Sequence, residues 1–147
     1  MVKHLRRFLF ISLFGVSLFA QNNALDFDGS NDYVSLGDVH DSFTALTFSA
    51  WIYPEATNGV IVAKNQVYAF QFNANSKIEI YFGNGSSWNG TPLISNGTVT
   101  TNQWNHVAVT RDASNNVVLY INGNSSSNAR QITENGNSAL AFAIGAY

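Results

Sequence analysis

The chain has 147 residues, of which 46% are apolar, 14% aromatic and 11% charged. This length gives room for one domain with a sizeable core, and the small charged fraction excludes an acidic disordered tail, a charged coiled coil and a basic nucleic-acid binder. Because the sequence contains no cysteine, disulfide frameworks, cysteine-containing zinc sites and thiol catalysis are excluded as well.

The first 20 residues have the pattern of a secretory signal peptide. Lys3, Arg6 and Arg7 precede the apolar run 8–20, which is shorter than the roughly 20 residues that a membrane span needs. We expect a signal helix here, and a mature chain 21–147 that has no membrane span and reaches the medium, the cell surface or the periplasm. An uncleaved anchor is the alternative. The mature chain keeps four basic and nine acidic side chains, a formal charge of −5 that repels nucleic acid.

Beyond the signal, the sequence reads as a succession of short strands. Alternating or continuous apolar patterns predict strands at 25–28, 33–36, 46–53, 59–63, 67–72, 77–82, 104–110 and 117–121. In the third of these, one face carries Leu46, Phe48, Ala50 and Ile52. In the seventh, Val107 and Val109 lie opposite a face that carries Trp104, His106, Ala108 and Thr110. We interpret Trp51 and Trp104 as packing residues, because a small sandwich needs large aromatic anchors.

Six Asn-Gly dipeptides punctuate these strands, beginning at Asn58, Asn84, Asn89, Asn96, Asn122 and Asn135. Asn-Gly favours two-residue hairpin turns because both residues tolerate positive φ. Turn signals at this spacing predict an antiparallel sandwich or barrel. The apolar run 139–147 either closes a sheet or indicates that the chain is a fragment, and we favour the fragment.

Four segments resemble one known family. They are ALDFDGSNDYVSLG at 24–37, FTALTFSAWIYP at 43–54, WNHVAVTRD at 104–112 and LYING at 119–123. Together they resemble the bacterial laminin-G-like, concanavalin A-like jelly-roll domain. The resemblance implies an all-β, two-sheet antiparallel jelly-roll sandwich, of a kind often found as a module in secreted proteins of carbohydrate degradation or adhesion. The family normally ends with an Asp-Glu-Val-Arg-Ile-Tyr-like strand, so we expect 21–147 to lack the last strand of the domain.

The loop 28–32 is a candidate calcium site. It places Asp28, Asn31 and Asp32 around Gly29, and calcium prefers oxygen ligands of this kind. The resemblance implies a structural calcium ion held by the side chains of Asp28 and Asp32, with carbonyls of Gly29 and Asn31 and an aspartate from the absent strand. A plain turn, in which these side chains bond their own backbone, is the alternative.

Catalytic patterns are weak in this sequence. Glycoside hydrolysis needs a pair of carboxylates, and the Glu-x-Asp-x-x-Glu pattern of hydrolases on this architecture is found at none of Glu55, Glu79 and Glu134. We expect Glu79 to face solvent and His106 to bond backbone as a structural residue. A Gly-x-Ser-x-Gly elbow does not occur. His40 between Asp38 and Asp41 is a weak metal pattern.

Trp88 is the candidate sugar-binding residue. It lies in the polar stretch 83–90, near Asn84, Ser87 and Asn89. An exposed ring among such amide and hydroxyl groups forms a stacking surface for a sugar. The alternative is that Trp88 begins the next strand and packs inward. Second-line candidates are Tyr53, Tyr68 and Tyr81.

We interpret the chain as a secreted, non-catalytic recognition module that binds a glycan or a glycosylated surface and holds a structural calcium ion. Adhesion to a protein partner is the close alternative, and a glycoside hydrolase on the same fold is the distant one. These interpretations stay open because one fold hosts many kinds of site.

Overall fold

A computed structural model describes residues 24–145, apart from the side chain of Asn89. The predicted signal peptide lies outside the described residues. The described part of the chain contains eleven strands and no helix, and hence no helical segment long and apolar enough to cross a membrane.

The strands follow one another closely. In chain order they are β1 (Tyr33–Ser35), β2 (Leu46–Ile52), β3 (Gly59–Lys64), β4 (Tyr68–Phe72), β5 (Ile78–Gly83), β6 (Trp88–Ile94), β7 (Asn105–Arg111), β8 (Asn116–Ile121), β9 (Asn124–Ser125), β10 (Arg130–Gln131) and β11 (Phe142–Gly145).

Two antiparallel sheets form the molecule. The six-stranded sheet has the order β1-β11-β3-β4-β5-β6, and the five-stranded sheet has the order β10-β8-β7-β2 with β9 paired to β8. The predicted all-β, two-sheet antiparallel sandwich is therefore confirmed.

The core lies between the sheets because the strands alternate apolar and polar side chains. Phe70 pairs with Ile80 in the first sheet and Val109 pairs with Leu119 in the second, and all four side chains are fully buried. Burying a side chain of this size contributes about 1.5–3 kcal/mol. The same alternation turns the side chains next to Val109 on β7 toward the outer face of the five-stranded sheet.

Seven of the eight strand predictions hold to within one residue. The strand predicted at 25–28 is wrong, because these residues form an exposed loop in which only Phe27 is partly buried. The predicted strands did not include β6, β9 and β10, but the alternative in which Trp88 begins the next strand is confirmed for β6. Its interior Asn89-Gly90 reads as a turn, whereas Gly90 takes a positive φ of 75° inside the strand.

Of the Asn-Gly dipeptides, Asn122-Gly123 forms the predicted two-residue hairpin. Both residues have positive φ, 51° and 80°, and join β8 to β9. Asn84-Gly85 lies in the β5–β6 turn, but the turn is longer. At these two places the Asn-Gly pair predicted a turn but not always its length, whereas Asn89-Gly90 lies inside β6.

The apolar run near residue 140 forms an interior strand of the six-stranded sheet. Strand β11 pairs with β1 on one side and β3 on the other. Phe142 and Ile144 point into the core while Ala143 lies on the outer face and is 5% exposed. A strand with neighbours on both edges and little exposure on either face is apolar throughout, as this run is.

Candidate functional site

Three large aromatic side chains lie exposed on the outer face of the five-stranded sheet. Trp51 is 66% exposed, Trp104 53% and Tyr53 44%. Trp51 lies on β2 opposite His106 on β7, so both point away from the core. Tyr53 and Trp104 continue the same two strands and the same alternation by two residues. We call Trp51, Tyr53, Trp104 and His106 the aromatic surface.

The rings of the aromatic surface form two contacting pairs. Tyr53 and Trp104 meet edge to face with centroids 5.6 Å apart, and Trp51 and His106 lie 5.3 Å apart at a tilt of 56°. His106 Nε2 and Ser49 Oγ share a hydrogen bond of 2.8 Å, whose direction depends on the tautomer of the ring. The surface therefore combines exposed aromatic rings with hydroxyl and imidazole groups that can hydrogen-bond a ligand.

The prediction that Trp51 and Trp104 pack inward is wrong. Leu46, Phe48, Ala50 and Ile52 share one face of β2, as predicted, and this apolar face packs on the core. Trp51 belongs to the opposite face. The alternation in the sequence already indicated this orientation, because Trp51 lies two and four residues from Ser49 and Thr47 and therefore shares their polar face. The expected backbone role of His106 also differs, because its ring bonds the side chain of Ser49.

The predicted site around Trp88 lies on the other sheet. Trp88 is partly buried and meets Tyr81 edge to face at 6.1 Å. Asn84 Oδ1 accepts hydrogen bonds from the backbone N–H groups of Ser86 and Ser87, both at 2.9 Å. That oxygen therefore stabilises the β5–β6 turn. Asn89 pairs with Phe82 through its backbone, and its side chain lies outside the described part of the chain.

The predicted calcium loop adopts a hydrogen-bonded turn. Asp28 Oδ1 accepts from the backbone N–H of Ser30 at 2.8 Å, and Asp32 Oδ2 accepts from that of Asp28 at 3.2 Å. Gly29 has a φ of 77° and Asn31 is exposed. Calcium takes six to eight oxygens, and within the described residues no group of three or more histidine, aspartate or glutamate side chains is placed to hold a metal ion. The observed hydrogen bonds are those of the plain turn, and calcium stays a prediction.

The acidic side chains singled out in the sequence are engaged by protein groups. Glu79 was expected to face solvent, which is wrong: it is 5% exposed. Its carboxylate accepts hydrogen bonds from the amides of Gln71 and Asn73, at 2.7 and 2.9 Å. Asp38 and Asp41 each bind the ammonium of Lys64 at 2.6 Å. The carboxylates flanking His40 thus hold a lysine rather than forming the weakly predicted metal site.

The match to a protein family agrees with this fold. A family model described as the concanavalin A-like lectin/glucanases superfamily, of the laminin G type, matches residues 28–147. The chain belongs to this superfamily. No curated protein matches the chain.

Solved structures share the concanavalin A-like fold of this chain. One is a Bacteroides ovatus protein to which carbohydrate binding is ascribed, with 21% identity and a TM-score of 0.60 over 76% of this chain and 34% of the other. Domains LG4-5 of the mouse laminin α1 chain give 15% identity and a TM-score of 0.61, over 78% and 32%.

A third structure is domain 4 of AbnA, a GH43 extracellular arabinanase from Geobacillus stearothermophilus, in complex with arabinotriose. Its identity is 21% and its TM-score 0.56, over 76% of this chain and 56% of that domain's chain. The chain spans about a third of the length of the first two structures. At these identities the likeness establishes the fold, and the site has to be argued from this chain's own residues.

Proposed function

We propose that this concanavalin A-like domain is a secreted, non-catalytic module that binds carbohydrate through the aromatic surface. The observation that carries the proposal is the exposure of Trp51, Tyr53 and Trp104 together on one sheet face. Neighbouring exposed aromatic side chains are costly to leave in water and commonly mark a binding site. Secretion rests on the signal pattern of the first 20 residues.

The chemistry of the aromatic surface suits a sugar ring. One face of a sugar ring carries C–H groups, which pack on the flat face of Trp or Tyr, while its hydroxyls need hydrogen-bond partners. The Trp N–H, the Tyr hydroxyl, Ser49 and His106 are partners of that kind. The structural relatives support the same class of ligand, since carbohydrate binding is ascribed to one and another was solved with arabinotriose.

The lack of a carboxylate pair within the aromatic surface favours a non-catalytic role. A glycoside hydrolase needs two carboxylates flanking the bond that is cleaved. Within the aromatic surface there is no carboxylate, and Glu55, exposed two residues beyond Tyr53, is a single acid close to it in sequence. The buried Glu79 lies on the other sheet with both oxygens held by amides.

Affinity electrophoresis through polysaccharide gels, followed by calorimetric titration, tests this proposal. Trp104→Ala and Trp51→Ala should each weaken binding about tenfold or more, because truncating an aromatic contact at a binding centre costs on the order of 2 kcal/mol. Trp88→Ala is the matched control, since it removes the same side chain from the other sheet. Circular dichroism would confirm that each variant is folded.

The opposite pattern, with binding lost in Trp88→Ala and kept in Trp104→Ala, would move the site to the β5–β6 turn. Capture of a partner that persists after the partner is deglycosylated would favour protein adhesion instead. Release of reducing sugar by the purified chain would contradict the non-catalytic role.

A further inference from the structure

The cationic side chains of the domain are almost all engaged within it. Residues 24–145 contain four, Lys64, Lys77, Arg111 and Arg130. Lys64 is fully buried between two aspartates. Arg111 is 3% exposed, and its guanidinium lies 5.2 and 5.1 Å from the ring centroids of Phe43 and Phe82.

The two remaining cations offer little more to an anion. Arg130 donates hydrogen bonds to the backbone carbonyls of Thr91 and Pro92, and Lys77 is half-buried in the β4–β5 turn. Recognition of sulfate, phosphate or carboxylate groups normally uses arginine or lysine side chains. A polyanionic glycan therefore finds almost no charge partner on this surface, and the net charge of −5 on residues 21–147 repels it.

The aromatic surface continues into an uncharged stretch of sheet. Beyond Trp51 and His106, the next cross-strand pairs on the same face are Ser49 with Ala108 and Thr47 with Thr110. The adjoining residues of β8 are Tyr120 and Val118. None of these side chains is a carboxylate, a lysine or an arginine, and the face offers hydroxyl and small apolar groups beside its aromatic rings.

The shape of this face is open along the strands. Thr47, Ser49, Trp51 and Tyr53 are all exposed, and residues two apart on a strand are about 6.6–6.8 Å apart. The four pairs thus extend about 20 Å. Two cavities among the described residues have volumes of about 320 and 290 Å³. Neither is lined by a residue of the aromatic surface, although Thr47 at the far end of the face lines the second.

From these observations we infer that the ligand is a neutral polysaccharide whose chain lies along β2 and β7, so that the domain contacts internal sugar units and not a chain end. This inference rests on the proposed function. On this extended face, successive rings and hydroxyls can contact successive units of a chain, whereas neither of the two cavities that could enclose a terminal sugar is lined by Trp51, Tyr53, Trp104 or His106.

Affinity electrophoresis of the full chain tests the inference with arabinan, mannan and mixed-linkage glucan as neutral probes and polygalacturonate and heparin as anionic probes. We expect retention on a neutral polymer, with an affinity that changes less than about twofold between about 0.05 and 0.5 M NaCl, because no ion pairs are screened. The affinity should rise from a disaccharide to a hexasaccharide of the retained polymer. Thr47→Lys should add salt-sensitive retention on polygalacturonate, and Ser86→Lys, at an exposed position in the β5–β6 turn of the other sheet, should not.

Each contrary result has a separate meaning. Retention of the unmodified chain on heparin or polygalacturonate, lost at high salt, would overturn the neutral ligand while leaving carbohydrate binding intact. Equal affinity for disaccharide and hexasaccharide would overturn contact along the chain. Failure to bind any of the polymers or oligosaccharides would overturn the proposed function itself.

Discussion

Lys64 is buried in the sandwich and is paired with two carboxylates. Its ammonium contacts Asp38 and Asp41 at 2.6 Å and the carbonyl of Val39 at 3.0 Å, so all three of its protons have acceptors. Burial lowers the pKa of Lys64, but the hydrogen bonds and charges of Asp38 and Asp41 outweigh it and raise the pKa above its usual value. The hydrogen bond from Lys64 in turn lowers the pKa of Asp38.

Lys64→Met should destabilise the domain by about 2 kcal/mol at pH 7, less than a fully buried pair would cost because Asp38 is open to water. The lowered pKa of Asp38 contributes stability above its unfolded value of about 4, and this contribution is lost as the pH falls through the folded value. The difference in the free energy of unfolding between the unmodified domain and Lys64→Met should therefore shrink toward pH 3. Urea denaturation at both pH values measures it.

Lys77→Met is the control for this experiment, because Lys77 makes no ion pair among the described residues. It should change stability by less than about 0.5 kcal/mol at either pH. A pH-independent loss in Lys64→Met would show that packing of the long side chain, and not its charge, stabilises the domain.

The aromatic surface shows how far single residues could be interpreted from the sequence. The period of two placed Trp104 and His106 on one face and Val107 on the other, as the structure does. The direction of Trp51 was missed because its size suggested burial, although its strand neighbours on the same face are Thr47 and Ser49. The alternation of residues along the strand predicted the face of a side chain better than the size of that side chain did.

At the scale of elements, the turns depend on close backbone contacts that the sequence does not show. Gly85 in the β5–β6 turn has a φ of 91° and donates its N–H to the carbonyl of Gln66 at 2.8 Å. A Cβ atom there would overlap the carbonyl oxygen of Asn137, more than fifty residues away in sequence. The Asn-Gly signal predicts the turn, but this distant contact requires the folded chain.

Gly85→Ala should destabilise the domain by about 3 kcal/mol, because it adds a backbone overlap to the strain of a positive φ. Gly123→Ala is the matched control: its φ is 80°, yet nothing lies within 4 Å of the added atom. That change should cost about 1 kcal/mol, from the φ alone. Chemical denaturation measures the free energy of unfolding of both variants. Equal losses would mean that the backbone around Asn137 moves aside at little cost.

At the scale of the whole molecule, strand content and fold class could be predicted, while sheet order could not. Local alternation identifies strands such as β2 and β7, and the four family-like segments identify the sandwich. The insertion of β11 between β1 and β3 depends on contacts between residues about a hundred positions apart. No local pattern specifies such a neighbour, although an apolar run such as β11 does predict an interior place.

The loop 28–32, which precedes the edge strand β1, bears on the stability of the whole molecule through the predicted calcium ion. If calcium binds there, calcium at ten times its Kd should stabilise the fold by about 1.4 kcal/mol and raise Tm by about 5 °C relative to chelator. Asp32→Asn should abolish that rise, while its amide oxygen can still accept the N–H of Asp28. Asp112→Asn is the control, because Asp112 likewise accepts backbone N–H groups, from Ser114 and Asn116 at 2.8 Å. In this variant the calcium-dependent rise in Tm should persist. Thermal unfolding unchanged by calcium up to about 10 mM would support the plain turn instead.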